Sequence, residues 1–138
     1  MDTSAHYALV DMTDPDHAAA VQYLQAATRL PATLVTSNFV LSETYTLLRY
    51  RLGWVTAQRY VTELRKGSTQ IFHLTRVDEE RAWEIFTQYE DQDFSYVDAT
   101  SFALMERINI SIFFAFDRHF STFRTSSGQA FTDIQFLA

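Results

Sequence analysis

The chain has 138 residues, 47% of them hydrophobic and 15% aromatic, with three glycines and two prolines. This is one domain's length with enough apolar mass for a core, which argues against disorder. The absence of cysteine excludes disulfide frameworks and thiolate metal sites, and the net charge of −6 runs against a simple basic nucleic-acid-binding surface.

No apolar run approaches a membrane span, and Met1-Asp2-Thr3-Ser4 has neither the basic nor the apolar region of a signal peptide. A cytoplasmic protein without a membrane partner is therefore expected, as one domain over 1–138. The basic residues are unevenly placed. Arg49, Arg51, Arg59, Arg65 and Lys66 share one stretch, with Glu63 as its single acid. They read equally well as solvated helix faces and as a binding stripe.

In chain order, Asp14-Pro15 predicts a helix start, with Asp14 as N-cap and Pro15 as first helical residue. That helix runs toward Arg29 and stops at Pro31. Residues 32–36 predict a short buried strand. A helix follows over about 39–52, with Gly53 at its C-terminal turn, and another over about 55–66. Residues 70–74 predict a strand containing His73, read as structural. Asp78 is expected to cap the next helix, with Trp83, Ile85, Phe86 and Tyr89 as its apolar surface. Ser95 opens a helix that runs to about Ile108. Residues 110–116 form an almost wholly apolar run, suited to a parallel strand covered on both faces. A weaker strand is expected over 130–136. Strands alternating with helices imply a parallel central sheet flanked by helices, a three-layer α/β fold. Sites in such folds lie beyond the carboxyl ends of the strands.

Three carboxylates stand out on those terms. Asp117 closes the run Ile112-Phe113-Phe114-Ala115-Phe116, at a strand's carboxyl end, where a turn residue is the alternative. Glu43 shares a helical face with Val40 and Leu47, so a carboxylate is expected within an apolar stripe. A salt bridge to Arg49 or Arg51 is its alternative reading. Asp98 completes a capping box, Ser95-x-x-Asp98, in the first turn of its helix. Asp91 and Asp93 read as loop residues, with Asp93 a further candidate. His6, His17, His73 and His119 show no zinc-ligand spacing. Nucleotide-loop, dinucleotide and serine-hydrolase motifs are absent. No lysine follows Asp117 at a strand end, so a phosphoacceptor pocket loses support.

The segments Asp2-Thr3-Ser4, Val35-Thr36-Ser37-Asn38 through Glu43-Thr44, Phe94 to Phe102, and Phe116-Asp117-Arg118-His119-Phe120 together resemble PIN-domain toxins of the VapC type, the nuclease half of toxin–antitoxin pairs. The resemblance covers nearly the whole chain in order. It implies a three-layer PIN-like fold with Asp2, Glu43, Asp98 and Asp117 gathered around Mg²⁺ or Mn²⁺. Ser4 would support the site through its hydroxyl, and Arg118 and His119 would contact substrate. The implied activity is metal-dependent hydrolysis of RNA phosphodiesters. The implied partners are a second copy of the chain and an antitoxin protein, for which the helix pair 39–66 is the candidate surface. A non-catalytic PIN-like module binding RNA or protein is the alternative. One departure stands out. The family places an apolar strand before the first aspartate, and only Met1 precedes Asp2. The expectation is a truncated first strand, from a start assigned late or a shortened chain.

Overall fold

The computed structural model describes residues 1–137, so Ala138, the end of the expected domain, lies outside the described residues. The chain begins with a helix that the sequence reading left unassigned, α1 (Thr3–Val10). Asp2 is its N-cap, accepting a hydrogen bond from the Ser4 amide at 3.2 Å. Ala5 and Ala8 turn inward from it.

Helix α2 (His17–Ala27) starts later than expected. Asp14 instead forms a turn: its side chain accepts the Asp16 amide at 2.8 Å and its carbonyl the His17 amide at 3.0 Å. Strand β1 (Val35–Ser37) leads directly into α3 (Asn38–Leu52), capped by the Ser37 hydroxyl on the Val40 amide. Gly53, at φ +89°, lets the chain turn into α4 (Trp54–Lys66). Strand β2 (Gln70–Phe72) ends before His73, which is exposed rather than within a strand.

Helix α5 (Arg76–Gln88) is capped by Thr75, not Asp78. Asp78 is the reciprocal partner in that capping box and is also held by Arg107 at 2.5 and 2.9 Å. Four donors from Thr75 and Arg107 thus satisfy its carboxylate, which is buried in the first turn. On the same helix Ala82 and Ile85 are buried, while Trp83 and Phe86 remain largely exposed. Helix α6 (Tyr96–Arg107) carries the expected Ser95–Asp98 capping box and is buried along most of its length.

The rest comprises β3 (Ile112–Phe113), α7 (His119–Thr122), β4 (Thr132–Asp133) and a 3₁₀ turn, Ile134–Leu137. The run after β3 alternates between two cores. Phe113 and Ala115 pack with α5, α6 and α7, whereas Phe114 and Phe116 pack with α1 and α2. That is period-two packing on both faces, as its apolar composition requires.

The parallel sheet is present as two parallel pairs, β1–β2 and β3–β4. Among the described residues, Met1 and Asp2 bridge them through backbone hydrogen bonds. The Met1 amine donates to the Val35 carbonyl at 2.7 Å, and the Asp2 amide to the Phe114 carbonyl at 3.0 Å. Among the described residues no strand lies between β1 and β3. An apolar cavity of about 340 Å³ lies there, lined by Met1, Val35, Ile112 and Phe114 among others. Ladder pairing is short: within 110–116 it covers Ile112–Phe113 and within 130–136 Thr132–Asp133, with an isolated antiparallel bridge between Arg124 and Ala130. A strand needs neighbours as well as propensity. No helix among the described residues is long and apolar enough to cross a membrane.

Candidate active site

The carboxyl ends of β1 and of the run after β3 face the start of α1 and the first turn of α6. Asp2 leaves the Met1 bridge and caps α1. Ser4, the second residue of α1, joins two parts of the site. Its hydroxyl donates to Asp2 Oδ2 at 3.1 Å and accepts the Phe116 amide at 3.0 Å. The first acid is thereby tied to the strand end that delivers Asp117.

Asp98 both caps its helix and faces the neighbouring side chains of the site. Its Oδ2 accepts the Ser95 amide at 2.8 Å, completing the cap, and faces His119 Nδ1 at 2.8 Å. Its other oxygen accepts no hydrogen bond among the described residues. Asp117 Oδ1 accepts the His119 amide at 2.9 Å and lies 3.8 Å from the imidazole Nδ1. Ligand atoms of Asp98, Asp117 and His119 all fall within 4.8 Å of one another.

The charges respond to this crowding. Burial, then repulsion from Asp2 and Asp98, pushes the Asp117 carboxyl up to about 6. Burial and the neighbouring Asp98 charge likewise raise Asp2, against the lowering effect of its Ser4 and Thr3 hydrogen bonds. Partial desolvation and the charges of Asp2, Asp98 and Asp117 raise Glu43, so it faces the same cluster. Among the described residues no lysine or arginine pairs with any of the four acids.

Glu43 reaches the cluster by a different route from the one its spacing implied. The buried stripe of α3 is Val40, Leu41, Thr44 and Leu48, and Glu43 is an exposed residue beside it. It pairs with neither Arg49 nor Arg51. Its place follows from the Ser37 cap, which starts α3 at the sheet edge. Asp93 is exposed in the loop before α6 and contributes to none of the shifted carboxyls. Arg118 is exposed at the start of α7 and forms no ion pair.

Oxygen-rich donors without cationic partners suit a hard divalent ion, which would relieve their mutual repulsion. The cluster could hold such an ion through Asp98, Asp117 and His119, with Asp2 and Glu43 at its margin. His119 thus lies within the acid cluster rather than merely next to Asp117 in sequence. The signal available in the sequence was its i+2 spacing from that acid.

A sequence profile of the PIN domain matches residues 1–125. The chain belongs to the PIN-domain family. It is 36% identical over 121 residues to the 23S rRNA-specific endonuclease VapC20 of Mycobacterium tuberculosis, covering 88% of this chain and 90% of the relative. It is 32% identical over 135 residues to Ribonuclease VapC26 of the same organism, covering 97% and 98%. A crystal structure of VapC20, described as a sarcin-ricin loop cleaving toxin, superposes with a TM-score of 0.78 at 35% identity, over 85% of this chain and 88% of that one. The PIN-like fold and the VapC-type resemblance read from the sequence therefore hold. In this PIN domain the segments carrying the resemblance are the ones that build the cluster: the α1 cap, the β1–α3 junction, the start of α6 and the run into α7.

Proposed function

We propose that this PIN domain, as a single unit over 1–138, is a metal-dependent endoribonuclease and the toxin of a toxin–antitoxin pair. One observation carries the reading: Asp2, Glu43, Asp98 and Asp117 come from four separate segments and raise one another's carboxyls, with no arginine or lysine among the described residues to neutralise them. Such a set is costly without a cation.

In this reading Asp2, Glu43, Asp98 and Asp117 hold Mg²⁺ or Mn²⁺. When bound, the ion supplies positive charge at the scissile phosphate and makes water acidic enough to act as nucleophile. The protein's own groups do the placing. Ser4 fixes the rotamer of Asp2, and Ser95 fixes that of Asp98. His119 lies within hydrogen-bond distance of Asp98 and is placed to orient it or to serve as a further ligand. Exposed Arg118 meets a substrate phosphate as a charged donor.

The partners follow the same reading. The α3–α4 pair exposes Tyr50, Trp54 and Val55 beside Arg49, Arg51, Arg59 and Arg65. That mixture of aromatic and basic surface suits an antitoxin segment with acidic and apolar residues. A homodimer in the cytoplasm completes the proposal. Ribosomal RNA, the substrate in one relative's name, is the first to test.

The decisive variants are Asp117→Asn and Glu43→Gln, assayed on RNA with Mg²⁺ or Mn²⁺ and with chelator. Cleavage lost in both variants and in chelator supports the reading. Cleavage that survives all three refutes it. RNA binding without any metal binding would instead make the domain a non-catalytic module.

A further inference from the structure

His6 is fully buried on α1, one helical turn beyond Asp2. An imidazole in such a place needs both ring nitrogens satisfied. Here Nδ1 lies 2.8 Å from the Tyr60 hydroxyl, and Nε2 lies 3.2 Å from Thr36 Oγ1. Thr36 Oγ1 also donates to the Met1 carbonyl at 3.1 Å.

Counting protons fixes the direction. The Thr36 hydroxyl has one proton, and it goes to the Met1 carbonyl. Thr36 must then accept from His6, so Nε2 carries the imidazole proton. Nδ1 is left as an acceptor, and the Tyr60 hydroxyl donates to it. The result is one unbroken series, from Tyr60 through His6 and Thr36 to Met1. Burial supports the neutral ring, pushing its pKa down to about 3.

The series ends on the peptide group that joins Met1 to Asp2. The same short segment is held by Val35 on one side and Phe114 on the other. We propose that Tyr60, His6 and Thr36 are positioning residues that hold Asp2 in register with the other acids, linking its placement to helix α4. This rests on reading the acid cluster as a metal site. A core histidine with purely local packing would have no reason to end its hydrogen bonds on the backbone of a ligand.

Three variants test it: Thr36→Val, which keeps shape and removes the hydroxyl; Thr36→Ser, which restores it; and Tyr60→Phe, which keeps the ring that meets His6 edge-on at 5.9 Å. Mn²⁺ affinity is read by electron paramagnetic resonance of the free ion, alongside thermal unfolding and the kcat and KM for RNA. Thr36→Val should weaken Mn²⁺ binding by about 10-fold, the scale of groups that orient metal ligands. It should lower kcat by a similar factor and leave KM unchanged. Thr36→Ser should recover both, and Tyr60→Phe should move them in the same direction by less. Variants that lose thermal stability but keep parental Mn²⁺ affinity and kcat overturn the proposal, as does failure of Thr36→Ser to recover them. If Asp117→Asn weakens Mn²⁺ binding while Thr36→Val and Tyr60→Phe do not, the positioning role alone fails. If the parent protein binds no Mn²⁺, the metal reading fails and takes the positioning role with it.

Discussion

Replacing Asp117 with asparagine removes one negative charge from a crowded cluster while leaving Oδ1 able to accept the His119 amide. Burial and the charges of Asp2 and Asp98 raise the Asp117 carboxyl from 3.8 to about 6. At about 1.36 kcal/mol per unit, that corresponds to roughly 3 kcal/mol of destabilisation when the group is ionised in the metal-free fold. The side chain is 32% exposed, so solvent screening reduces the figure to about 1–2 kcal/mol. Asp117→Asn should therefore stabilise the metal-free protein at pH 7, raising its midpoint by roughly 4–8 °C. Thermal unfolding in EDTA measures this. Added Mn²⁺ should reverse the order, because only the parent gains from tight ligand binding. RNA cleavage by the variant should fall by at least about 100-fold. An asparagine variant less stable than the parent in EDTA would refute the claim that the cluster is strained by its own charge. One that cleaves like the parent would refute its role in the chemistry.

The same shifts set opposite pH trends. A raised carboxyl contributes stability that is complete below its unfolded value of 3.8 and is lost as pH rises through about 6. In EDTA the protein should thus gain stability as pH falls from 7 toward 4, with Asp2 and Glu43 acting in the same direction. Mn²⁺ affinity should fall over that range, since protonated carboxyls are poor ligands; denaturation and metal titration at matched pH check both. Asp78→Ala breaks a pair in which Asp78 is 1% exposed and also removes half a capping box, so it should cost about 3–5 kcal/mol in urea unfolding. It should leave kcat per folded molecule unchanged.

How the sequence carried this information differs by residue. The alternation of Phe113, Phe114, Ala115 and Phe116 was readable because burial on both faces leaves an uninterrupted apolar run. The Ser95–Asp98 box was readable because capping depends on local spacing alone. Asp98 shows the limit of that reading, since one carboxylate both caps a helix and faces the cluster. Glu43 was found through an argument that its burial does not support. Spacing placed it near Val40 and Leu47, but the rotation of α3, set by the Ser37 cap and by packing on α1 and α6, turns Thr44 inward instead. Helix α1 went unassigned because Asp2 at a chain start looks like a frayed end. Its capping bond comes from the Ser4 amide, and the Ser4 hydroxyl in turn accepts the amide of Phe116, 112 positions from Ser4. The His6 series was equally hidden. Tyr60, His6 and Thr36 meet only after three elements have packed, and no periodicity announces such a meeting.

Cleavage of labelled RNA by the purified protein, with Mg²⁺, after EDTA, and after Mg²⁺ is restored in excess, tests the central claim most directly. The account predicts internal cuts with Mg²⁺, none in EDTA, and full recovery on restoration, with no recovery for Asp98→Asn or Asp117→Asn. Cleavage that persists in EDTA, or persists unchanged in both variants, would contradict it.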